Sequence, residues 1–95
     1  MPGIGYLEPL EQLSEQTIDM HKAIVSLIEE FEAVDAYNQR ADVCHDPDLK
    51  VILEHNRDEE KEHAAMLLEW VRRHDPALSK QLEAFLFSTK KIVDA

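Results

Sequence analysis

Glu60-Lys61-Glu62-His63 sets a carboxylate and an imidazole three residues apart inside HNRDEEKEHAAMLLEW (residues 55–70), a run otherwise as charged as a solvent-facing helix. On a helix, residues three apart share a face, so Glu60 and His63 can offer one metal ion an oxygen and a nitrogen donor. The spacing alone is weak support, and its placement says more. Steps of four and three give Leu49, Leu53, Asn56, Glu60, His63, Leu67 and Trp70, a stripe apolar at both ends and polar at three consecutive levels. Asp58, Lys61, Glu62 and Glu69 mostly fall on other faces and read as the solvated side. A carboxylate in a packed seam is costly unless it is paired or bound to metal.

The elements that must position these groups follow from the same periodicity. A first helix is expected from about Glu8 to Ala41, with Leu13, Thr17, Met20, Ile24, Leu27, Phe31 and Val34 along one seam. An adjacent stripe carries Leu13, Gln16, Met20, Ala23, Leu27, Glu30, Val34, Tyr37 and Ala41, so the apolar face is broad and Glu30 lies inside it. ADVCHDPDLK breaks the pattern, with Asp46 as N-cap and Pro47 at the first position of a second helix that reaches Arg73 or His74. Arg72 and Arg73 stand near the negative end of that helix's dipole. Asp75-Pro76 repeats the cap for a short third helix, greasy along Leu78, Leu82, Phe85 and Leu86. Residues 1–7 and 88–95 are expected to be flexible.

Two long helices with a short connection form an antiparallel hairpin. If the turn centres on residue 45, Glu30 and Glu60 each lie about 22 Å from it at ~1.5 Å per residue, level with one another. The hairpin cannot cover its own apolar face, and a second copy across a two-fold axis completes a four-helix bundle. One Glu plus one Glu-x-x-His per chain is half the ligand set of di-iron carboxylate bundles. Glu30 or Glu60 can then bridge two metals, with His63 as a terminal ligand. Oxygen-rich ligation with one imidazole suits iron or manganese, and zinc fits as well. A metal-free alternative uses the same residues: His63 protonated between Glu30 and Glu60 as a buried hydrogen-bonded cluster at a dimer interface.

Composition narrows the function classes. The chain has 95 residues, enough for one small all-α domain, and 44% hydrophobic content argues against wholesale disorder. A formal charge of −10 disfavours phosphate backbones and concentrates cations at the surface. No stretch has the ~18 consecutive apolar residues of a membrane span. MPGIGYLEPLEQLSEQ lacks the basic start and apolar core of a signal peptide. The single cysteine, Cys44, reads as a loop thiol and fits a reducing cytoplasm.

MHKAIVSLIEEFEAVDAYNQRAD followed by DPDLKVILEHNRDEEKEHAAMLLEWVRR resembles the encapsulated ferritins, half-length relatives of ferritin that work inside encapsulin nanocompartments. The likeness runs from about Glu8 through the AFLF of the third helix. It implies a hairpin that dimerises into a ferritin-like four-helix bundle and assembles further into a ring-shaped decamer. It also implies a ferroxidase, which oxidises Fe(II) to Fe(III) with oxygen at a di-iron site on the dimer two-fold, and storage of the iron within an encapsulin shell in the cytoplasm. The family's ligands correspond to Glu30, Glu60 and His63. Glu29 and Glu32 correspond to an additional metal or entry site, and zinc, manganese or calcium can substitute for the iron or occupy secondary sites. Tyr37 matches a family tyrosine, with either a redox or a packing role. The resemblance departs at Ala36, where relatives often carry tryptophan, and no encapsulin-addressing peptide is visible after the third helix.

Overall fold

Ser14 decides where the first long helix begins. In the computed structural model, which describes residues 5–93, its hydroxyl accepts from the Thr17 N–H at 3.1 Å and caps α1, Glu15–Val43. The expected start near Glu8 is therefore too early. Leu10–Gln12 forms a separate 3-10 turn behind Pro9, and Leu13 is extended. A second helix, α2, spans Pro47–His74, and a third, α3, spans Pro76–Phe85. The described residues contain no strand.

Both later starts follow the cap-and-proline pattern. The Asp46 carboxylate accepts from the Leu49 N–H at 2.7 Å, and that of Asp75 from the Leu78 N–H at 3.0 Å. Asp75 also ends α2, so the corner between α2 and α3 is one residue long. Arg72 reinforces it by gripping Glu69 with two N–H groups (2.6 and 2.8 Å) and donating to the Ser79 hydroxyl at 3.0 Å. Glu69 thus belongs to an ion-paired corner that Arg73 also joins at 2.7 Å.

The two long helices pack as an antiparallel hairpin on small side chains: among the described residues only Ala23, Ala41, Ala64 and Val71 are buried, and no large side chain is fully covered. Of the two apolar stripes on α1, the one carrying Ala23, Glu30 and Ala41 faces α2. The other leaves Ile24 41% and Phe31 55% exposed. On α2, Ile52 and Met66 are likewise exposed. The chain exposes 7735 Å², whereas a compact globule of 11.0 kDa exposes about 5,600 Å². Its radius of gyration is 17.0 Å, against about 12.4 Å for a compact domain of this length.

The termini expected to be flexible fall partly on residues 1–4 and 94–95, outside the described range. Within it, Tyr6 stacks on His21 with ring centroids 4.2 Å apart, and the Lys90 N–H donates to the Ser88 hydroxyl at 3.1 Å. No helix among the described residues is long and apolar enough to cross a membrane.

Candidate metal centre

Glu30 on α1 and Glu60 and His63 on α2 meet across the hairpin. The His63 Nδ1 stands 3.4 Å from the Glu30 Oε2 and 3.4 Å from the Glu60 Oε2. One ligand atom from each residue lies within 4.8 Å of the other two. The level of Glu30 is set by the hairpin register, and that of His63 relative to Glu60 by the single helical turn between them. Both carboxylate side chains are 24% exposed, while His63 sits at the rim with 43% exposed.

The Glu30 Oε2 is buried and has no hydrogen-bond partner; the His63 Nδ1, 3.4 Å away, meets it as an ion-pair contact. An unsatisfied buried acceptor costs about 1–3 kcal/mol. The closeness of Glu60, which favours a proton shared between the two carboxyls, holds Glu30 above its ordinary value; burial and repulsion by Glu60 add to this, and His63 opposes it. Burial works against the charged form of His63, but Glu30 and Glu60 outweigh it and raise its pKa. The three groups therefore hold more acidic oxygen than one imidazole proton can satisfy.

A cation fits this imbalance. Metal–ligand bonds of about 2.1 Å at octahedral or tetrahedral angles separate neighbouring donors by about 3.0–3.4 Å, and both His63–carboxylate separations are at that upper value. Two carboxylates and one imidazole match iron, manganese or zinc by donor type. Three residues offer at most five donor atoms, too few to surround two ions.

Comparison with known proteins places this arrangement. The sequence profile described as EncFtn-like matches residues 5–89. The chain belongs to the EncFtn-like family. An encapsulated ferritin-like protein from Rhodospirillum rubrum is 59% identical over 81 residues, which are 85% of this chain and 58% of that protein. The EncFtn-like chain thus spans less than two thirds of that relative's length. A ferritin-like protein from Thermotoga maritima is 48% identical over 89 residues, covering 94% of this chain and 78% of its own length. A shorter match, 43% over 47 residues (50% of this chain, 36% of the relative), is to the encapsulin nanocompartment cargo protein EncC of Myxococcus xanthus. A crystal structure of a protein from Nitrosomonas europaea superposes with a TM-score of 0.91 at 63% identity, covering 95% of this chain and 99% of that one. The all-helical, ferritin-like fold expected from the sequence is the fold found.

Other residues singled out by sequence lie outside the cluster in this EncFtn-like hairpin. Glu29 and Glu32 are exposed on α1. Tyr37 is two helical turns beyond Glu30, about 10 Å along the axis; it is half-buried, with the Arg40 guanidinium carbon 5.6 Å from its ring centroid. Cys44 closes α1, its thiol 3.6 Å from the Asp46 carbonyl. Among the described residues, the cluster contains no member that spacing and periodicity had not already selected.

Proposed function

We propose that the protein is a ferroxidase whose di-iron site forms when two copies bring their Glu30, Glu60 and His63 together across a two-fold axis. The observation that carries this reading is the buried, partnerless Glu30 Oε2 beside Glu60 and His63. Each chain holds half a ligand set, and the same two helices leave the apolar side chains of Ile24, Phe31 and Met66 exposed. The excess exposed surface, about 2,100 Å² over a compact globule, exceeds the ~800 Å² that one standard interface buries on each partner. That leaves surface for further association into a ring.

The residues divide the work as follows. The net charge of −10 draws Fe(II), the substrate, toward the surface, and Glu29 and Glu32 hold it transiently on the exposed side of α1. Glu30 and Glu60 bind it through oxygen, either of them able to bridge, and His63 binds it through nitrogen. Each bound Fe(II) yields one electron to oxygen and becomes Fe(III). The carboxylates stabilise the extra positive charge of the product. The bundle interior has no room for mineral, so stored iron needs an enclosing shell. The EncC match supports an encapsulin shell as the partner and the nanocompartment as the location.

Oxygen consumption on adding Fe(II) to the purified protein tests this, with Glu60→Ala and His63→Ala as controls. Uptake in wild type and its loss in both variants is expected. Equal oxidation by the variants would put the reaction elsewhere. Metal binding without oxygen uptake would leave a metal-assembled, non-enzymatic dimer.

A further inference from the structure

Outside the Glu30, Glu60 and His63 cluster, one side-chain hydrogen bond joins α1 to α2 among the described residues: the Arg57 Nη1 donates to the Asn38 Oδ1 at 3.1 Å. We infer that Asn38 and Arg57 are positioning residues, a clasp that fixes the axial register of the hairpin and so sets the spacing of Glu30 against Glu60 and His63. This rests on the metal-binding reading above. The two cross-helix pairs lie close in register but not at the same one: Glu30 and His63 are centred between Asp46 and Pro47, and Asn38 and Arg57 one residue further on, between Pro47 and Asp48. Arg57 is held ready for the contact, because Asp58 accepts from its Nε at 3.0 Å and its side chain is only 21% exposed.

Packing alone supplies little of this register. Large side chains seated in holes resist sliding, whereas the buried contacts here are three alanines and one valine. A slip of two residues is about 3 Å; applied to a 3.4 Å contact it opens the Glu30–His63 separation to about 4.5 Å, beyond the ~3.0–3.4 Å between neighbouring ligands of one ion. Asn38 is exposed and touches no ligand, so its effect must travel through α1.

Co(II) titration followed by its visible absorption tests the clasp without redox chemistry, with helicity recorded in parallel. Asn38→Ala and Arg57→Met should each bind Co(II) about 10-fold more weakly, equivalent to about 1.4 kcal/mol, at unchanged helicity. Asn38→Asp, which keeps an acceptor for Arg57, should restore the affinity to within about 2-fold. Unchanged affinity in both disrupting variants, even with a lowered melting temperature, would overturn the clasp and leave a merely structural contact. Failure of Asn38→Asp to restore binding would overturn it too. Absence of a Co(II) band in wild type would instead remove the metal reading on which it rests.

Discussion

Replacing Glu30 by glutamine should stabilise the metal-free protein while destroying its response to metal. Glutamine keeps the shape of the side chain, removes one of two repelling charges and brings N–H donors toward Glu60. The wild-type site carries a buried acceptor without a partner, worth about 1–3 kcal/mol of cost. Glutamine also forfeits the attraction to His63, so the net gain belongs at the lower end, about 1 kcal/mol. For a domain of this size that is about 4–8 °C in melting temperature. The sign with pH follows from Glu30 being raised above its ordinary 4.5. Wild type is relieved of the penalty below pH 4.5 and incurs it as pH rises through the folded value, so the advantage of Glu30→Gln should shrink on acidification. Metal reverses the order: at 100 times its dissociation constant it adds about 2.7 kcal/mol to wild type and little to the variant. Calorimetric melts at one fixed protein concentration, in chelator and in Co(II), give both numbers. A variant that melts below wild type in chelator, or an equal Co(II) shift in both proteins, would refute the argument.

Three further outcomes follow. Glu69 is pulled down to about 2 by Arg72 first and Arg73 second, so the clamp's stabilisation is present above pH 4.5 and fades as pH falls toward 2; Glu69→Gln should flatten the melting-temperature profile in that window. Asp75→Ala removes the cap from the Leu78 N–H and should cost about 1 kcal/mol, read as faster hydrogen exchange of the amides at 77–79 with α2 unaffected. Phe31→Asp takes an aromatic that is 55% exposed in the single chain out of the proposed interface. Losing about 2 kcal/mol per copy weakens a two-fold dimer by about 10³, which light scattering at micromolar concentration will report as monomer.

Much of the molecule was legible because local and long-range signals agreed. Asp46-Pro47 and Asp75-Pro76 state a cap and a first helical position in consecutive residues, and both helices start there. Glu30, Glu60 and His63 were legible for a different reason: each interrupts an apolar stripe, and the turn position puts them at one height. The start of α1 was misread because Leu10 and Leu13 continue the periodicity backwards, while Ser14 lacks the proline that marks the other caps. Which stripe of α1 meets α2 was not legible at all. Two overlapping apolar faces are each suitable for packing, and only the close approach allowed by Ala23 and Ala41 selects one for the hairpin. The reach of Arg72 to Ser79 also depends on where α3 turns, which no spacing within α2 specifies.

The hairpin is short of both apolar cover and metal ligands, and in the proposed dimer these deficits have one remedy. Had the chain enclosed Glu30, Glu60 and His63 by itself, two carboxylates would have lost their water before any cation arrived, at several kcal/mol each. At the rim, His63 remains 43% exposed and each carboxylate 24%, so much of that cost is deferred until a partner closes over the site. The small-residue helix contact then serves chemistry as well as packing. Ala64 adjoins His63 in sequence, and the near approach of the helices there lets a short glutamate from α1 reach an imidazole on α2. A larger residue at position 64, which is only 3% exposed, would push the helices apart and separate the ligands. The weak monomer core is therefore the structural condition under which this ligand set can meet.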